Sequence, residues 1–71
     1  MPYQNNEDLP PPVRARLPTH AQDIFREAFN HAFAAYGGDE GRAFRTAWSA
    51  VKRRYVKVGE VWLPREPPAL D

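Results

Sequence analysis

The chain reads as mainly α with a small antiparallel β-sheet, a compact three-helix domain plus a β-hairpin. Three observations predict it. Apolar residues recur at helical spacing in two segments separated by Gly37-Gly38-Asp39. Two β-rich runs flank Gly59-Glu60. And 71 residues, 42% of them hydrophobic and nine aromatic, suffice for one core but not two.

The first helix is short. Pro10-Pro11-Pro12 precedes Val13 and Leu17, which are spaced i, i+4. Proline suits a first helical turn, where its missing N–H has no partner to lose. The spacing predicts a helix over about Pro11–Arg16, stopped before Pro18.

Thr19-His20-Ala21-Gln22 then fits a capping box, with the Thr19 hydroxyl accepting from the Gln22 N–H and the Gln22 side chain reaching back. Ala21, Ile24, Phe25, Ala28, Phe29, Ala32, Phe33, Ala35 and Tyr36 follow at helical spacing, and Gly37 ends the helix in the left-handed conformation. Asp39 caps a third helix with Ala43, Phe44, Ala47, Trp48, Ala50, Val51 and Tyr55 on its apolar side. So short a linker makes the two long helices antiparallel neighbours. The expected core is Ile24, Phe25, Ala28, Phe29, Ala32, Ala47, Trp48, Val51 and Tyr55.

Tyr55-Val56-Lys57-Val58 and Val61-Trp62-Leu63 form the hairpin. A lone hairpin is marginal in water, so Tyr3-Gln4 is expected to add a third strand. The domain spans 1–63, and residues 64–71 are a Pro-rich C-terminal tail, extended or disordered.

Composition excludes several functions. No cysteine is present, which removes disulfides, thiol catalysis and Cys-type zinc sites. No apolar run approaches the roughly 18 residues of a membrane span, and Met1–Asp8 lacks the basic and apolar regions of a signal peptide. A cytoplasmic, non-membrane-spanning protein is expected. Ser49, Thr19 and Thr46 lack the glycine-elbow setting of a nucleophile, and Gly37-Gly38-Asp39-Glu40-Gly41 lacks the spacing and lysine of a phosphate loop. The chain is read as non-enzymatic, with no catalytic residues, cofactor or metal site.

Three clusters remain. His20, Asp23, Glu27 and His31 share a polar stripe, where only Glu27 and His31 are close enough to touch one ion, so an ordinary solvated face is the expectation. The aromatic residues could stack on bases, but their helical spacing assigns them to the core. The third is charge. Residues 1–41 carry three basic against six acidic side chains, and residues 42–71 carry seven against three. All six charges from Arg42 to Lys57 are positive. Arg42, Arg45, Lys52, Arg53 and Lys57 form a basic face for an acidic partner, with Arg54 nearer the apolar side. In docking on a protein, Trp62 or Tyr3 would be the apolar anchor.

The blocks Asp8-Leu9-Pro10, Leu17-Pro18-Thr19-His20-Ala21-Gln22-Asp23-Ile24-Phe25, Glu27-Ala28-Phe29-Asn30 and Ala47-Trp48-Ser49-Ala50-Val51-Lys52, with Met1-Pro2-Tyr3, Val13 and Tyr55, resemble the ChaB family over nearly all of Met1 to Trp62. The resemblance implies a three-helix domain with a small sheet, similar in packing to cyclin-box proteins. It implies a regulator of a cation–proton antiporter acting by protein–protein contact. The alternative is a nucleic-acid-binding accessory domain using the basic third helix, since ChaB-like segments also occur beside nucleic-acid-binding domains. Where some members have a longer charged stretch between the main helices, this chain has only Gly37–Gly41, so no divalent-cation role is expected for that loop. His20, within the motif, is expected to bond nearby backbone.

Overall fold

The computed structural model describes residues 2–65. In chain order it holds a single 3-10 turn (Asn6–Asp8), α1 (Pro11–Arg16), α2 (Thr19–Ala35), α3 (Glu40–Arg54), β1 (Tyr55–Val58) and β2 (Val61–Pro64). The predicted class is therefore the one observed. The expected tail falls, from Glu66 onward, outside the described residues; Pro64 closes β2 opposite Tyr55.

The two long helices pack side by side, and their seam is the core. Phe25 and Phe29 of α2 are fully buried, with Ala43, Ala47 and Val51 of α3 opposite. Phe44 and Trp48 set their rings edge-on to Phe25 at centroid distances of 5.3 Å each. Edge-to-face pairs add roughly 0.5–1.5 kcal/mol beyond area burial. Leu9, Val13 and Leu17 close one side, and Tyr55 and Trp62 another. Of the expected core, Phe25, Phe29, Ala32, Ala47, Val51 and Tyr55 are buried, whereas Ile24, Ala28 and Trp48 are half-buried at its margin. The α1 contribution was not foreseen, because two apolar residues four apart carry little periodicity.

Helix ends are set by local chemistry. The capping box expected at Thr19 does not form. Pro18, extended at ψ 164°, is the N-cap, so its carbonyl accepts the Gln22 N–H (2.9 Å). The Gln22 amide is thereby released and donates to Leu17 O (2.8 Å) and Arg14 O (3.3 Å), two of the orphan carbonyls ending α1. One glutamine thus ties α1 to α2. At the other end, Gly38 N–H donates to Phe33 O and Gly37 N–H to Ala34 O, with Gly37 at φ 65°. This is a Schellman motif, and only glycine takes that φ at no steric cost. Asp39 Oδ1 then accepts the Arg42 N–H at 3.1 Å and starts α3.

The N-terminal arm is not a strand. Among the described residues the sheet has two strands, β1 and β2. The Asn30 side chain takes both backbone groups of Tyr3 instead: Tyr3 N–H donates to Asn30 Oδ1 (2.8 Å) and Asn30 Nδ2 donates to Tyr3 O (2.7 Å). A side-chain amide on α2 mimics the partner that a strand would have supplied. The Tyr3 ring lies 4.8 Å from that of Phe29. Burial pushes the Tyr3 phenol pKa up, and the nearby Glu40 carboxylate adds to it. Next along the arm, Asn5 Oδ1 accepts the Glu7 N–H while Asp8 Oδ2 accepts the Asn5 N–H, a capping box on the 3-10 turn. Asn6 bridges to α2 by donating to Asp23 Oδ1 (2.7 Å) and accepting from Arg26 Nε (2.8 Å).

A denaturant series checks this packing. Phe29→Ala should cost roughly 3–5 kcal/mol. Gln22→Ala should cost about 1 kcal/mol through the lost bonds to α1. Thr19→Ala should stay within about 0.5 kcal/mol, as for a surface change. A larger loss at Thr19 than at Gln22 would restore the capping box and refute the bridge.

Candidate functional site

The last turn of α3 carries Lys52, Arg53 and Arg54, which also suit the negative end of the helix. Arg42, Arg45, Lys52 and Arg53 are all exposed on α3. At 100° per residue they span about a third of its circumference. Among the described residues none of them forms an ion pair with a carboxylate; the pair present there is Arg26–Asp23 at 3.5 Å. Arg42 is held by a ring instead, its guanidinium 4.4 Å from the Tyr36 centroid.

Lys57 lies apart from these four. It sits on β1 opposite Trp62, on the face of the hairpin turned toward the core. Arg54 is exposed and lines the α2–α3 seam beside His20. The five residues read from the sequence as one face therefore occupy two elements.

A groove runs along the α2–α3 seam, with a volume of about 580 Å³. Ile24, Ala28 and Ala50 form its floor, and Glu27, His31 and Arg53 stand on its walls with Thr46 and Ser49. It opens toward Tyr36 and Arg42 at one end and toward His20 and Arg54 at the other. Sequence reasoning missed it. The signal was the pair of alanines at the edge of each apolar stripe: too small to fill the seam, they leave a channel where larger side chains would have closed it.

The polar stripe of α2 is dispersed by the fold. Asp23 is engaged by Asn6 and Arg26, while Glu27 and His31 face the groove. His20 is exposed, its ring 6.3 Å from that of Tyr55, and among the described residues it makes no hydrogen bond to backbone, contrary to expectation. No group of three or more His, Cys, Asp or Glu side chains placed to hold a metal occurs among the described residues. The anchor expectation is also corrected. Trp62 is buried, its ring 5.6 Å from Trp48, and Tyr3 is half-buried on Phe29, so neither is free to enter a partner. No helix in the described residues is long and apolar enough to cross a membrane.

The ChaB family model matches residues 9–65. This chain belongs to the ChaB family. It is 46% identical over 66 residues to the "Putative cation transport regulator ChaB" of Escherichia coli K12, covering 80% of this chain and 87% of that one. An "Uncharacterized protein in LEF8-FP intergenic region" of Lymantria dispar multicapsid nuclear polyhedrosis virus is 37% identical over 51 residues, covering 72% of each. An NMR solution structure titled as the putative cation transport regulator ChaB superimposes with a TM-score of 0.82 at 39% identity, covering 92% of this chain and 100% of that one. The ChaB fold is thus shared along almost the whole length.

Glu27 and His31 supply two ligands at most, and hard cations require six or more oxygens. Calorimetric titration with calcium or magnesium should show no micromolar site. A micromolar calcium heat abolished by Glu27→Gln would contradict this.

Proposed function

We propose that this ChaB domain is a non-catalytic regulator of cation transport that acts by docking on a cation–proton antiporter through the outer face of α3. The observation that carries it is the set of exposed cations on α3 with no paired carboxylate among the described residues. Arg42, Arg45, Lys52 and Arg53 leave a charge that an acidic protein surface would satisfy. The relatives' name, cation transport regulator, supplies the class of target. The adjoining groove gives such a surface shape as well as charge, with Ile24, Ala28 and Ala50 accepting apolar contacts between charged walls. The compartment proposed is the cytoplasm, where the antiporter's inner loops are reached.

The same cations could meet phosphates, but the aromatic residues that would stack on bases are turned inward. Phe25, Phe29, Phe44, Trp48 and Trp62 pack on one another. Tyr36, the exposed ring among the described residues, is covered by the Arg42 guanidinium, which leaves chiefly the electrostatic part of nucleic-acid binding.

The test is cation–proton exchange in inverted membrane vesicles carrying the antiporter, with and without the purified domain. The domain should change the exchange rate, and Arg45→Glu/Arg53→Glu should reduce that change at least ~10-fold, as expected for like charges placed at an interface. Labelled duplex DNA should bind no more tightly than ~10⁻⁴ M near physiological salt. An unaltered exchange rate, or an effect that survives the charge reversals, would refute the reading.

A further inference from the structure

The hairpin departs from an ordinary surface sheet in its outward face. Side chains alternate across a strand, and a two-stranded sheet lying on a core normally turns its polar residues outward. Here Tyr55 and Trp62 point inward and are buried. The outward face is Val56 paired with Leu63 and Val58 paired with Val61. All four are aliphatic, and they are 38%, 45%, 55% and 54% exposed in that order. Of the five large hydrophobic residues exposed among the described ones, four are these; the fifth is Tyr36.

Three cations lie close along the backbone where the hairpin leaves α3. Arg65, just past β2, donates its N–H to Arg54 O (2.8 Å) and its Nε to Lys52 O (2.8 Å). It caps the end of α3 and brings three cations, Lys52, Arg54 and Arg65, to the open end of the hairpin. None of the three is paired with a carboxylate among the described residues. The hairpin's own acid, Glu60, lies at the opposite end in the turn.

We propose that the hairpin's outer face and the Lys52/Arg54/Arg65 cluster together form a docking surface for an anionic lipid bilayer. The cluster meets headgroup phosphates, and the aliphatic face enters the headgroup–acyl boundary. Charge complementarity selects an anionic occupant. The aliphatic face separates lipid from nucleic acid, because valine and leucine offer bases nothing to stack on. Area separates lipid from a second copy or another folded protein: the patch exposes roughly 300 Å², against ~800 Å² per partner in a stable interface. An interfacial site needs no such area, since apolar burial and attraction to anionic lipid act together. This deepens the regulator reading by placing the domain on the membrane that holds its transporter. It is tested without the transporter, so either can fail alone.

The experiment is co-sedimentation of the full chain with vesicles of phosphatidylcholine alone or of phosphatidylcholine with phosphatidylglycerol. Wild type should bind the anionic vesicles, not the neutral ones, and be released by salt. Lys52→Gln/Arg54→Gln should weaken binding by ~5-fold per charge. Val56→Thr/Val58→Thr/Val61→Thr keeps every charge and the β-branched shape, and should weaken it by roughly tenfold or more. Thermal melts check folding, and Val58→Thr alone, at the most exposed position, serves if the triple variant unfolds. Failure of wild type to bind anionic vesicles, or threonine variants that bind like wild type, would overturn the proposal. So would wild-type dimers that the threonine changes dissolve, which would assign the face to a second copy.

Discussion

Everything in this fold depends on two phenylalanines one helical turn apart. Phe25 and Phe29 are 0% and 1% exposed, and both α3 and the N-terminal arm reach them directly. Phe44 and Trp48 of α3 meet Phe25 edge-on, and Phe44 also meets Phe29. Tyr3 of the arm lies on Phe29. Trp48 passes the contact on to Trp62, so the hairpin is held through the same aromatic chain. A domain this small has no cysteine and so no disulfide to spare it from unfolding, and one efficient core must carry the stability.

That economy places the functional surfaces. Apart from Tyr36, the aromatic residues of the described chain are committed to the interior and cannot serve as anchors or stacking platforms, which leaves chiefly charge and small aliphatic patches to recognise a partner. The outer side of α3 offers cations beside a groove floored by alanines, and the hairpin offers valines, with Arg54 and Arg65 flanking its open end. Both lie in the positively charged second half of the chain. The acidic first half is largely engaged in holding the arm and helix ends, as Asp8, Asp23 and Asp39 show through their bonds to Asn5, Asn6 and Arg42.

The sequence made the long elements legible because their signals are periodic and redundant. Nine apolar residues marked α2, and the Gly37-Gly38-Asp39 punctuation fixed where it ends and α3 begins. What escaped was carried by single polar side chains. Nothing in the spacing of Asn30 announces that it will imitate a strand for Tyr3, 27 residues away. Gln22 looked like a cap partner for Thr19 until Pro18 took the capping position itself. The basic face was legible as a run of one sign, but not its division between α3 and the hairpin, because Lys57 lies beyond the helix end. The groove was invisible for a related reason: it is made by what Ala28 and Ala50 lack.

If Phe25 and Phe29 unite the layers, the domain should open as one unit. Native-state hydrogen exchange tests this directly. The amides of Phe29 in α2 and of Ala47 and Val51 in α3 should exchange with a single free energy, equal to that of global unfolding, as in a cooperative foldon. Exchange from α3 by a cheaper local opening while α2 stays protected would show that the helices are separately stable, and would contradict the account.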